Sequence, residues 1–175
     1  MEKDQEKTVV STGNREIDDK MGGGIPLGSL TLIEGDSHSG KSVLSQQMTW
    51  GSLNDGFQLA FFTTENTVKS LVKQMQSLNI DILNYLLLCK LRLYPMELAR
   101  AKVDVLAALL EAIINENRLG RGMIFIDALT PALTNSGQDV VLGFFERCKR
   151  LCSDGMTIVI IVHSHAINHD FLVRI

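Results

Sequence analysis

Several short stretches of this chain are apolar almost throughout, and all are too short to be buried helices. Leu30 to Glu34, Gln58 to Thr63, Met123 to Asp127 and Thr157 to Val162 read as strands hidden on both faces. Leu91 to Tyr94 alternates and is closed by Pro95, a further strand candidate. Between these runs the period changes. Lys102 to Asn117 is amphipathic, with Leu106, Leu109, Leu110 and Ile113 at i, i+3, i+4 and i+7. Thr67 to Leu78 places Leu71, Met75 and Leu78 on one helix face. Ser42 to Trp50 and Asp139 to Leu151 complete the predicted helices. Gly22-Gly23-Gly24-Ile25-Pro26 is a strong turn signal, and Thr130 to Gly137 reads as a polar loop. Apolar strands alternating with helices predict an α/β fold, a mostly parallel sheet with helices on both faces. In such sheets ligands sit at the carboxyl ends of the strands.

The 175 residues suit one domain spanning 1–175, with the polar residues 1–7 expected to fray. No apolar run approaches the length needed to span a bilayer, and the charged start carries no export signal. A cytoplasmic protein is expected, reaching a membrane only through a partner. The net charge of −3 argues against nucleic acid, which attracts a basic excess. Arg147, Lys149 and Arg150 read as a solvated helix face. Cys89, Cys148 and Cys152 are an odd count, expected to be reduced thiols. Cys148 and Cys152 share a helix face, as packing residues would.

The chemistry is concentrated after the strands. Gly35, Asp36, Ser37, His38, Ser39, Gly40, Lys41 and Ser42 spell G-x-x-x-x-G-K-S between a predicted strand and a predicted helix. A glycine-hinged turn entering a helix N-terminus aims backbone N–H groups at a polyphosphate. Gly35 and Gly40 are expected to supply backbone angles that other residues adopt only with strain. Lys41 would bridge the outer phosphates of ATP and the Ser42 hydroxyl would bind Mg²⁺. His38 is expected to point outward.

Asp127 ends a buried strand, where a carboxylate can share that Mg²⁺ with Ser42. Glu65 follows the neighbouring strand and is the candidate catalytic group, orienting a water toward the γ-phosphate. The competing reading makes Glu65 a cap or first-turn acid for the helix that starts near Thr67. His163, Ser164 and His165 follow the last strand and are candidates for sensing the γ-phosphate. A metal site built from His163, His165 and His169, with Asp170 the one acid nearby to orient them, is the weaker reading. The loop Thr130 to Gly137 would face a central channel in a ring-forming ATPase or be plain surface. Tyr94 or another side chain is expected to stack on the base.

Thr12-Gly13-Asn14, Gly22 to Leu30, Ser39 to Leu44, Thr63 to Val68 and Leu91 to Pro95 together resemble the KaiC-like branch of the RecA superfamily. More narrowly they resemble the family of archaeal flagellar accessory protein H, from about Thr8 to His165. The resemblance implies a RecA-like P-loop domain that binds ATP with Mg²⁺. It implies Lys41 and Ser42 on phosphate and metal, Asp127 as the Walker B acid and Glu65 at the catalytic-glutamate position. The implied partners are the archaellum motor ATPase and the scaffold ring of the basal body, with a hexamer of this chain as a further possibility. Two departures qualify it. The family's active members carry two adjacent glutamates where this chain has Glu65-Asn66, which implies slow hydrolysis. The family also continues through further strands, so a C-terminal truncation at Ile175 is expected.

Three functions stay open on these residues. The first is a nucleotide-dependent switch. The second is an autophosphorylating regulator, using hydroxyls of Thr63, Thr64 or the loop Thr130 to Ser136. The third is a recombinase-like DNA-dependent ATPase.

Overall fold

The computed structural model describes residues 7–96, 104–164 and 166. A two-stranded antiparallel clasp is formed by β1 (Val9–Val10) and β2 (Ile25–Pro26), with α1 (Arg15–Lys20) between them. The main sheet holds β3 (Leu30–Gly35), β4 (Leu59–Thr63), β5 (Leu91–Pro95), β6 (Met123–Asp127) and β7 (Thr157–His163). The helices are α2 (Lys41–Asn54), α3 (Val68–Ser77), α4 (Leu83–Leu87), α5 (Val105–Arg118), α6 (Thr130–Thr134) and α7 (Gln138–Ser153). All neighbours in the sheet are parallel, in the order β3-β7-β6-β4-β5.

The unbroken apolar runs are explained by burial on both faces. Ala60 and Phe62, Ile124 and Ile126, and Ile158 and Ile160 face a core closed by α5, α6 and α7. Their alternates Leu59, Phe61, Met123, Phe125, Val159 and Ile161 face the other core, shared with Met48 of α2 and Leu71 and Met75 of α3. Period-2 alternation therefore exists, but both phases are apolar.

The helix starts follow side-chain chemistry. Asp104 caps α5 through the N–H groups of Leu106 and Ala107, and Thr67 caps α3 through Ser70 N–H. α2 runs on past the predicted Trp50 to Asn54, with Gly51 inside it. A Cβ at Gly51 would lie 2.2 Å from the Thr12 carbonyl carbon, so the glycine admits the incoming chain against the helix. Asp18 ties that chain down, accepting from Ser11 Oγ at 2.7 Å and Thr12 Oγ1 at 2.6 Å.

Three expectations are corrected. Thr130 to Gly137 is not a loop: its first five residues form α6, with Pro131 in the first turn and Ala132 and Leu133 buried. Gly35 does not adopt a left-handed backbone; Gly40 does, at φ 87°, and so does His38, at φ 64°. Tyr94 stacks on Phe62, with ring centroids 4.8 Å apart, and is committed to the core rather than to a ligand. Cys148 and Cys152 are both buried on α7, and burial pushes their thiols up to about 12 and about 11. His165, His169 and Asp170 lie outside the described residues.

Candidate functional site

The sheet order assembles the site. The phosphate loop follows β3 and Glu65 follows β4, two strands that are successive in sequence but separated in space by β7 and β6. His163 and Asp127, at the ends of those inner strands, therefore fall between them. Register holds them level: Gly35 pairs with His163 and Thr63 with Asp127. The strand ends are also stitched together. Ser164 N–H donates to Gly35 O at 2.9 Å, Thr64 N–H to Asp127 O at 3.0 Å and Leu129 N–H to Ile161 O at 2.9 Å.

Above these ends opens a cavity of about 570 Å³, lined by Ser37 to Val43, Glu65, Gln74, Asp127, Ala128, Ile161 and His163. That volume suits a small-molecule ligand. On one wall Gly40, in its left-handed conformation, starts α2 without any side-chain cap. The first-turn N–H groups and the positive end of the helix dipole are left for an anion. Lys41 is buried, and its Nζ donates to the Asp36 carbonyl and to Ser39 Oγ at 3.3 Å. The cation is thus held inside the concavity of its own loop.

Asp127 is 2% exposed and is met by two hydroxyls of α2. Ser42 Oγ donates to Oδ1 at 3.2 Å and Ser45 Oγ to Oδ2 at 3.1 Å. Burial pushes the Asp127 carboxyl above its ordinary 3.8. The Glu65 charge adds to the rise, while the two serine hydroxyls and Lys41 only partly oppose it. A buried carboxylate that touches a serine hydroxyl and has no direct cation among the described residues fits a divalent metal. Ser42 and Asp127, the two metal candidates, are therefore brought together. Ser45 completes the set; its signal was its place on the Ser42 face of the helix, one turn on.

Glu65 is half-exposed, with Oε1 3.6 Å from His163 Nε2. It is not the cap of α3, because Thr67 fills that place and no acid lies in the first turn. Thr63 Oγ1 accepts from the N–H groups of Glu65 and Asn66, fixing the turn that presents the carboxylate. Asn66 turns away: its Oδ1 accepts from Ser70 Oγ at 3.1 Å. His163 is anchored from behind, where its N–H donates to Thr130 Oγ1 at 2.8 Å. Its Nδ1 is buried without a partner among the described residues. Ser164 contributes its backbone stitch, and His165 lies outside the described residues. Gln74, Gln46 and Thr130 carried no sequence signal, since their partners lie far along the chain.

Comparison with known proteins agrees with this geometry. A family described as "ATPase: KaiC" matches residues 10–171. An archaeal flagellar ATP-binding protein FlaH of Sulfolobus acidocaldarius is 31% identical over 170 residues, 95% of this chain and 74% of that protein. The protein of the same name from Methanocaldococcus jannaschii is 31% identical over 144 residues, 78% of this chain and 60% of its own length. The crystal structure of flagellar accessory protein FlaH from Methanocaldococcus jannaschii superposes with a TM-score of 0.80 at 27% identity, covering 96% of this chain and 75% of that one. Among the described residues, no helix is long and apolar enough to cross a membrane.

Proposed function

The chain belongs to the KaiC family of ATPases and, within it, to the archaeal flagellar ATP-binding proteins FlaH, and from that premise we propose that it is a nucleotide-gated switch that hydrolyses ATP slowly or not at all. The observation that carries this reading is the division of labour in the cavity. Binding groups are complete, with an open phosphate loop, a buried lysine and a serine–aspartate pair. Groups for turnover are sparse among the described residues: Glu65 stands beside His163, and Asn66 is held by the Ser70 hydroxyl on α3.

Lys41 and the first-turn N–H groups of α2 bind and orient the phosphates. Ser42 and Asp127 would hold Mg²⁺, which supplies positive charge against the outer phosphate oxygens when bound. Glu65 would position a water, but at half-exposure it shares that water with bulk solvent, which weakens its leverage. His163 links the ends of the row, touching Glu65 and pairing in register with Gly35, so it is the sensor candidate the geometry favours. ATP would draw the loop, His163 and the Glu65 turn into one arrangement and so shape a docking surface. The proposed partners are the archaellum motor ATPase and its scaffold ring, at the cytoplasmic face of the membrane.

A ligand shifts a two-state protein only by its differential affinity for the states. The test is therefore binding of this chain to the motor ATPase with ATP and with ADP. Binding at least tenfold tighter with ATP is expected. Equal binding with both nucleotides would remove the switch.

A further inference from the structure

Gln46 sits on α2 one turn beyond Ser42, and it is completely buried. Its Nε2 donates to Oε1 of Gln74, on α3, at 3.0 Å. Its own Oε1 has no partner among the described residues. A buried amide with one unmet group is costly, and apolar pairs already pack this side of the sheet, with Met48, Leu71 and Met75 in the same core. Packing α2 against α3 does not by itself call for an amide pair here.

The other end of the pair faces the site. Gln74 is half-buried and lines the cavity shared by Lys41, Ser42, Glu65 and Asp127. With its oxygen tied to Gln46, its amide nitrogen is the group left for the cavity. Reversing both amides would keep that bond but bury an unpaired N–H of Gln46, and an orphaned buried donor is rarer than an under-satisfied carbonyl oxygen.

We propose that Gln74 reads the third phosphate of the nucleotide, its amide N–H donating to a γ-phosphoryl oxygen, with Gln46 as the positioning residue that holds it there. This rests on the reading of the cavity as a nucleoside-triphosphate site. A neutral amide donates to a phosphoryl oxygen without adding charge, and it cannot act as a base, so it separates recognition from turnover. Gln74 also lies on the helix that begins just after the Glu65 turn and is capped by Thr67. Occupancy of the third phosphate position would thereby fix α3 against α2.

The test is titration of the full chain, in Mg²⁺, with fluorescent N-methylanthraniloyl derivatives of ATP and ADP. Gln74→Ala is expected to weaken ATP binding about tenfold, the scale of one hydrogen bond to a charged group, and to leave ADP binding unchanged. Gln74→Glu is expected to weaken ATP binding further by like-charge repulsion. Gln46→Leu should move the ATP-to-ADP ratio in the same direction by less. An unchanged ratio in Gln74→Ala, whether both affinities hold or both fall together, would overturn the inference and leave Gln74 as an interhelix contact. Failure of the wild-type chain to bind either analogue would instead overturn the reading of the cavity, and this inference with it.

Discussion

Asp127 and Glu116 are hidden from solvent to nearly the same degree, 2% and 3% exposed, yet their surroundings differ in kind. Glu116 lies near the end of α5, toward the amino ends of β5 and β6. Its Oε1 accepts from Tyr94 Oη at 2.6 Å and Arg92 Nη1 at 3.2 Å. Arg121 Nε stands 3.3 Å from Oε2, an ion pair without hydrogen-bond alignment, while Arg121 Nη2 donates to the Cys89 carbonyl at 2.7 Å. Two guanidinium groups balance that carboxylate's charge and a phenol donates to it, although its Oε2 has no hydrogen-bond partner among the described residues. Asp127, at the opposite ends of the strands, has two serine hydroxyls and a raised pKa. A buried charge balanced by fixed cations holds structure. One whose oxygens are met only by hydroxyls, opening on a cavity, is held ready for a cation.

The largest effect should come from breaking the charge-balanced cluster. Glu116→Ala leaves Arg121, which is 5% exposed, without its countercharge. A loss of about 3–5 kcal/mol is expected, lowering Tm by roughly 10 °C, with ATP affinity of the folded fraction unchanged. A loss below about 1 kcal/mol, measured by thermal melting, would mean the cluster is not structural. Next is Lys41→Ala, which removes the cation facing the phosphates. Affinity for ATP should fall on the order of a hundredfold while Tm without nucleotide stays within a degree or two. Unchanged affinity would remove Lys41 from the site.

The smallest effect has the opposite sign. Asp127→Asn should raise the Tm of the nucleotide-free protein by a few degrees, on the order of 1 kcal/mol, and abolish the Mg²⁺ dependence of ATP binding. The sign follows from the raised native pKa. The protonated acid is tolerated in the fold, so Asp127 costs nothing below its ordinary 3.8, and the penalty builds as pH rises from there through the native value. The advantage of Asn should therefore be absent in acid, grow between those two values and hold level above them. A lower Tm for Asn at neutral pH would place Asp127 with Glu116, as a structural acid.

The fold was largely legible because its strands are buried on both faces. The predicted strands over Leu30 to Glu34, Gln58 to Thr63, Leu91 to Tyr94, Met123 to Asp127 and Thr157 to Val162 match β3 to β7 within a residue at each end. What escaped is short. The two-residue β1 and β2 and the five- and six-residue helices α1, α4 and α6 are too brief to show a period. In α6, Pro131 and the surrounding threonines imitate a loop, and only burial of Ala132 and Leu133 makes a helix of it.

In the site, Lys41, Ser42, Asp127 and Glu65 were legible because each follows a strand or opens a helix. The strand order that places His163 between the loop and Glu65 cannot be read from local pattern. Neither can the pairing of Gln46 with Gln74, 28 residues apart. Cavity-lining residues held by tertiary contacts leave no trace in spacing.

On the proposed reading the cavity binds ATP far better than it consumes it. The direct measurement is the fate of bound nucleotide. The protein is loaded with labelled ATP and Mg²⁺, freed of excess ligand, and its bound species are followed by chromatography for hours, beside Glu65→Gln. Bound ATP that persists intact in both proteins is the result expected of a switch. ADP and phosphate appearing within minutes in the wild-type chain, and not in Glu65→Gln, would make Glu65 a working catalytic residue and the protein a cycling ATPase.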